Sequence, residues 1–152
     1  MPNERLLDLS IRVAEPNDAA ALAELMCELG YETTQSEMQM RMERIGADGC
    51  YRTFVAVFDG KVCGMIGTLT CPSYEHNDPG GRILALATLS AMRRRGIGRA
   101  LVATAEKDFA EMGINRIALN TQLAREDAHK FYESLGYQRN GWRFVKQLSL
   151  CD

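Results

Sequence analysis

The chain has 152 residues, 46% of them hydrophobic and 25% charged, the composition of one ordinary globular domain that buries about two thirds of its unfolded surface. A formal net charge of -2 excludes a chain that as a whole matches nucleic acid or an anionic membrane, leaving only local basic patches for such partners. No run of about 18 apolar residues occurs, and Pro2, Glu4 and Asp8 occupy the N-terminus where a signal peptide would be apolar, so the expected location is cytoplasmic. The cysteines, Cys27, Cys50, Cys63, Cys71 and Cys151, are odd in number and contain no C-x-x-C pair. They read as reduced thiols rather than as a disulfide framework or a zinc site.

In chain order, Leu9 to Val13 alternates like a strand. Glu15-Pro16-Asn17-Asp18 then supplies helix-start chemistry ahead of Leu22, Leu25, Met26 and Leu29, with Gly30 as the stop. Met38, Met42 and Ile45 mark a second helix within Ser36–Ile45. Thr53–Phe58 and Lys61–Thr70 are β-rich runs around Asp59-Gly60, the signature of a two-residue hairpin. Pro72–Gly81 reads as a loop and Arg82–Leu89 as a strand. From Gly98, Leu101, Ala105, Phe109 and Met112 recur at helical spacing as far as Gly113, before a short strand at Arg116–Leu119. Ala128, Phe131, Tyr132 and Leu135 make a further amphipathic helix ended by Gly136. Trp142, Phe144, Lys146 and Leu148 alternate as a last strand after Asn140-Gly141. The predicted order is β-α-α-β-β-β-α-β-α-β, an α/β (α+β) mixed sheet with helices on its faces, in a single domain over residues 1–152.

One segment carries chemistry. A strand leading into Gly96-x-Gly98 and then a helix gathers free backbone N–H groups at one point, since the first turn of a helix lacks intrahelical acceptors. The helix dipole makes that point attractive to anions, and glycines let a phosphate approach the main chain. Arg94, Arg95 and Arg99 add positive charge at its rim. By itself, a glycine pair at such a corner serves equally as a tight turn. A Walker-type loop would need Gly-x-x-x-x-Gly-Lys-Ser/Thr, and a dinucleotide fingerprint the full Gly-x-Gly-x-x-Gly. Neither is present.

The segment Leu86 to Leu101, with Arg93-x-x-Gly96-x-Gly98, resembles the Q/R-x-x-G-x-G/A signature of the GCN5-related N-acetyltransferase (GNAT) superfamily. Asp127 to Tyr137, with Ala128, Tyr132 and Gly136-Tyr137, is similar to that superfamily's second signature, and the two matches with the element order cover residues 9 to 148. The resemblance implies a GNAT fold with splayed fourth and fifth strands and acetyl-CoA as cosubstrate, without a metal. It assigns the pyrophosphate to the turn of Arg94, Arg95, Gly96, Ile97, Gly98 and Arg99, and the pantetheine arm to main-chain groups of Leu86, Ala87 and Thr88. In the superfamily a main-chain N–H at a bulge of the fourth strand polarises the thioester carbonyl, and the aligned position is Thr88; a backbone donor fixed in a sheet reorganises little.

The same resemblance makes Tyr132 the donor to the departing thiolate. Spacing alone would place Tyr132 with Ala128, Phe131 and Leu135 as a core aromatic. No general base stands out. Glu75, His76 and Asp78 fall in the loop near the expected acceptor entrance, where a histidine of near-neutral pKa could act or simply be solvated. Asn120 occupies a position at which N-terminal protein acetyltransferases of the superfamily tend to carry Glu, which counts against a peptide N-terminus as acceptor. Arg125 replaces the usual Asn of the pantetheine-contacting N-x-x-A, and its role stays open. His129 is expected on the helix surface or at an interface.

Acceptor choice in this fold belongs to the first two helices and their connection, where Glu28, Glu32 and Glu37 would make an acidic rim for a small-molecule or lysine-like cationic amine; solvated helix ends are the plain alternative. Two other functional classes compete with an active acetyltransferase: a silent acyl-CoA-binding regulatory module, and a nucleic-acid binder using Arg93, Arg94, Arg95 and Arg99. Net charge and the lack of a reader motif disfavour the latter. The last strand permits a homodimer as readily as a monomer.

Overall fold

The computed structural model describes residues 8–121 and 126–150; Arg125 and Cys151 lie outside the described residues. The chain forms two compact units, residues 1–119 and 120–152.

The first unit follows the expected order closely. Strand β1 (Leu9–Val13) leads through a single 3-10 turn at Pro16–Asp18 into α1 (Ala19–Glu28), followed by α2 (Gln35–Gly46), β2 (Tyr51–Phe58), β3 (Lys61–Cys71), β4 (Gly80–Thr88), α3 (Ile97–Glu111) and β5 (Ile117–Leu119). The five strands form one sheet in sequence order, antiparallel except for the parallel pairing of β4 with β5. Local chemistry accounts for most boundaries. Asp59 and Gly60 have φ of 51° and 74°, the positive pair that a tight hairpin between Phe58 and Lys61 demands. Thr34 caps α2 in a reciprocal capping box with Glu37.

Ahead of α1, Asp18 is buried, receives two guanidinium bonds from Arg12 at 2.8 and 3.0 Å, and accepts the Glu15 N–H at 2.7 Å. The Arg12 guanidinium beside it holds the Asp18 carboxyl below the ordinary carboxylate range. This pair fastens the start of α1 to the end of β1.

Strands β2 and β3 each contain four consecutive buried residues, Thr53–Ala56 and Cys63–Ile66. Consecutive burial means that both faces of the sheet are covered. Helices α1 and α3 supply the cover, with Leu22 and Leu25 from one and Leu101, Val102, Ala105 and Phe109 from the other in the core.

Two sequence-based boundaries change. The segment predicted as loop through Gly81 ends sooner, because Gly80 and Gly81 already pair with Cys71 and Thr70. A Cβ on Gly81 would lie 2.7 Å from the Phe109 ring, so the strand can pass beneath α3 only with glycine there. The second change concerns the last strand, predicted over Trp142 to Leu148. Residues 138–150 hold no regular structure, with Trp142, Phe144, Val145 and Leu148 exposed. Alternation fixes which side chains would share a face, but a strand also needs a partner for its ladder.

The second unit contains α4 (Glu126–Ser134), closed by Gly136 at φ 94°. The Tyr132 carbonyl accepts the N–H groups of both Leu135 and Tyr137, at 3.0 and 3.1 Å, and Arg139 pairs with Glu133.

Replacing Gly81 by Ala is expected to lower the unfolding free energy by about 1–3 kcal/mol, the ordinary cost of overpacking a tight contact. Urea denaturation reads it directly, and an unchanged midpoint would mean that Phe109 moves aside freely.

Candidate active site

The end of β4 and the start of α3 form the candidate site, and the sheet fixes the geometry of both. Strand β4 keeps register with β3 up to Thr68↔Ile83 and resumes at Gly67↔Ala85, so Leu84 is an extra residue, a β-bulge on β4. Pairing with β5 covers only Gly81, Arg82 and Ile83. The two parallel strands thus part company at the bulge, four residues earlier than the Thr88 position where the sequence comparison expected it.

Beyond the bulge the hydrogen-bond phase decides which groups face the open side. The Leu89 N–H donates to the Cys63 carbonyl at 2.9 Å. Because bonded and non-bonded antiparallel pairs alternate, Ala87 and Ala85 likewise direct their main-chain groups at β3. Leu86 and Thr88 direct theirs away from β3, toward the side that β5 has left. Of the three expected pantetheine residues, Leu86 and Thr88 therefore offer backbone donors and acceptors, while Ala87 is buried and engaged within the sheet.

The connection from β4 to α3 is less direct than the sequence suggested. A 3-10 turn at Ser90–Met92 intervenes before the arginine run. Arg94 then has φ 63° and Gly96 φ 84°; the first is an uncommon conformation for a side-chain-bearing residue and the second suits glycine. Gly96 is the N-cap of α3, no side chain caps the helix, and its first turn holds no acidic residue. The first intrahelical bond runs from the Ala100 N–H to the Gly96 carbonyl at 3.0 Å, which leaves the N–H groups of Ile97, Gly98 and Arg99 without intrahelical acceptors. Arg94, Arg95 and Arg99 are exposed around this end, whereas Ile97 is 2% exposed and plugs the helix start into the core.

Gly64, which the sequence reading passed over within a strand, brings the two halves together. It pairs with Thr88 across β3 and β4, and a Cβ added to it would stand 3.1 Å from both Ile97 and Leu101. The first turn of α3 consequently rests on the sheet beside Thr88. An anion-attracting helix end and a strand edge that has no ladder partner among the described residues lie next to each other, as a ligand with a charged and an extended portion would require. Among the described residues no cluster of three or more His, Cys, Asp or Glu side chains could hold a metal ion.

Glu28, at the end of α1, approaches the connection from outside. Its Oε1 accepts the Ser90 N–H at 3.4 Å and the Ser90 hydroxyl at 3.2 Å, and its Oε2 lies 3.5 Å from Arg93 Nη2. Glu37 is committed as well: it accepts the Thr34 N–H at 3.0 Å, which lowers its pKa. The acidic rim expected from Glu28, Glu32 and Glu37 is thus reduced by two carboxylates with local tasks. The sequence marks Glu28 only as one of the rim glutamates and gives no sign of this contact, because Ser90 stands 62 residues away.

His76 is exposed in the β3–β4 loop, where its main-chain N–H donates to Ser73 Oγ at 3.1 Å, and Glu75 and Asp78 are exposed in the same loop. Asn120 follows β5 rather than lying in it. In the second unit Tyr132 is half-buried, with edge-on ring contacts to Phe131 at 5.2 Å and Tyr137 at 5.9 Å. His129 is buried, so of the two expected placements, helix surface or interface, the first does not hold. It stands three residues before Tyr132, and that spacing puts both on the same side of α4.

Residues 19–137 match the sequence model of the acetyltransferase (GNAT) family. The chain belongs to that family. It is 32% identical over 143 residues to the aminoalkylphosphonate N-acetyltransferase of Salmonella typhimurium, covering 91% of this chain and 90% of that protein. Among solved structures, a GNAT family acetyltransferase from Staphylococcus aureus superimposes with a TM-score of 0.80 at 27% identity, over 93% of this chain and 99% of the other. An aminoglycoside acetyltransferase from an uncultured soil metagenomic sample gives a TM-score of 0.81 over 94% of this chain and 98% of its own, and at 19% identity the likeness is one of fold. Among the described residues no helix is long and apolar enough to cross a membrane.

Proposed function

We propose that this protein is an acetyl-CoA-dependent N-acetyltransferase whose acceptor is the primary amine of a small molecule of the aminoalkylphosphonate class. The observation that carries the first part is the uncapped start of α3 set beside the open edge of β4. Acetyl-CoA supplies the activated acetyl thioester, and its shape matches the two-part site. The N–H groups of Ile97, Gly98 and Arg99, with the turn from Arg94 to Gly96, would hold the pyrophosphate, and main-chain groups of Leu86 and Thr88 would pair with the pantetheine amides. Arg94, Arg95 and Arg99 add a screened attraction at the rim.

In this reading the Thr88 N–H would polarise the acetyl carbonyl, and the neutral amine would attack the carbonyl carbon directly in a ternary complex. The Tyr132 phenol would give its proton to the coenzyme A sulfur as the C–S bond breaks, and the proton released by the amine nitrogen would pass through solvent and restore the phenol. The family match spans residues of both units, which supports treating residues 1–152 as one acetyltransferase domain. A location in the cytoplasm rests on the sequence alone. The acceptor class rests on the Salmonella typhimurium relative, similar over nearly the whole of both chains. It also agrees with the pairing of Glu28 with Arg93, which offsets one of the charges that would favour a polycation.

A thiol-release assay with acetyl-CoA and a panel of amines tests the acceptor: aminoalkylphosphonates are expected to give the highest kcat/KM, well above polyamines, aminoglycosides and lysine peptides. A preference for the polycations would overturn the acceptor assignment, and no thiol release despite acetyl-CoA binding would make the protein a silent binding module. Gly98→Glu places bulk and negative charge against the pyrophosphate, so the thermal stabilisation by saturating acetyl-CoA, about 2.7 kcal/mol at a hundredfold excess over Kd, is expected to vanish with the fold intact. Tyr132→Phe is expected to cut kcat by about a hundredfold while leaving acetyl-CoA affinity within about twofold; an unchanged kcat would remove Tyr132 from the chemistry.

A further inference from the structure

We infer that Glu28 is a positioning residue for the anion-binding turn, holding the main chain of the β4–α3 connection in the shape that acetyl-CoA requires; the inference rests on the assignment of the pyrophosphate to that turn. The connection has few restraints of its own. From Leu89 to Gly96 its internal bonds are Met92 N–H to the Leu89 carbonyl at 2.9 Å and a long Arg93 N–H to the Ser90 carbonyl at 3.4 Å. The chain must still enter a positive-φ conformation at Arg94 and again at Gly96, and a side-chain-bearing residue keeps such a conformation only where its surroundings impose it.

Glu28 supplies the restraint from outside. One carboxylate oxygen accepts the Ser90 hydroxyl at 3.2 Å and, by a long 3.4 Å contact, the Ser90 N–H, where the connection begins, and the other faces the Arg93 guanidinium, immediately before the first positive-φ residue. The carboxylate therefore brackets the 3-10 turn and sets the direction in which the main chain enters the cradle. Its own position is firm, since it ends a ten-residue helix whose Leu22 and Leu25 are fully buried. The Arg93 side chain is drawn to Glu28, which distinguishes it from Arg94, Arg95 and Arg99, for which no ion pair is recorded among the described residues. Glu28 also directly precedes the α1–α2 connection, so the acceptor side of the fold and the cofactor turn share one carboxylate.

The test is acetyl-CoA affinity and a split of the two Michaelis constants in the full-length protein. Glu28→Gln keeps an acceptor for Ser90 but loses the ion pair, and Glu28→Ala loses both. The expected result is a Kd for acetyl-CoA raised about threefold in the first and about tenfold in the second, in line with hydrogen bonds to a charged group, with the acceptor KM within about twofold. Arg93→Gln added to Glu28→Gln is expected to raise Kd little further, because both substitutions break the same link. Unchanged acetyl-CoA affinity in folded Glu28→Ala would overturn the inference and leave Glu28 as a purely structural tie, whatever happens to the melting temperature. A rise in the acceptor KM alone would also overturn it, by placing Glu28 on the acceptor. Gly98→Glu separates the two levels. If it binds acetyl-CoA normally, the turn is not the site and the parent reading fails; if it does not bind while Glu28→Ala does, only the role of Glu28 fails.

Discussion

The contact on which the site depends is that of α3 with Gly64. A helix end attracts anions wherever it lies, but this one is useful because Ile97 and Leu101 settle onto a strand position that has no side chain. The same glycine is the cross-strand partner of Thr88. A larger residue there would lift the first turn of α3 from the sheet and separate the helix N-terminus from the strand edge. Gly81 plays the matching part at the other end of the helix, where the Phe109 ring lies flush against it. Close packing at both ends thus fixes the helix axis over the sheet, and axis placement is what brings two common features together.

The edge of β4 is opened by a different device. The extra residue at Leu84 coincides with the last rung of parallel pairing at Ile83. A bulge adds twist and bends its strand, and the short β5 does not follow. What remains is a stretch of backbone with donors and acceptors pointing off the sheet at Leu86 and Thr88. In most proteins such an edge is a hazard to be blunted; in the proposed reading an extended ligand would pair with it.

Charge is distributed more economically than the composition suggests. The arginine run looks in sequence like a uniform basic patch and the glutamates of the first helices like a uniform acidic one. Folding sets Arg93 against Glu28 across the boundary between them, commits Glu37 to the cap of α2, and leaves Arg94, Arg95 and Arg99 exposed at the helix start. Glu28 is thereby paired with a cation, and three arginines are left beside N–H groups of the first helical turn that have no intrahelical acceptors.

The sequence by itself determined the five strands and three α-helices of the first unit and the hairpin at Asp59-Gly60, because these depend on periodicity, turn chemistry and helix caps, all of which act within a few residues. It also pointed to the family through two spaced signatures, and the match over residues 19–137 bears that out. The tertiary structure alone decided that Gly81 belongs to a strand, that Leu84 is the bulge, that Leu86 and Thr88 rather than Ala87 face outward, and that Glu28 ties down the connection. Hydrogen-bond phase depends on the neighbouring strand and carries no mark in the strand's own residues. His129 and the segment from Trp142 show the same limit from the other side: an amphipathic or alternating pattern states which residues share a face, and burial or pairing depends on what that face meets.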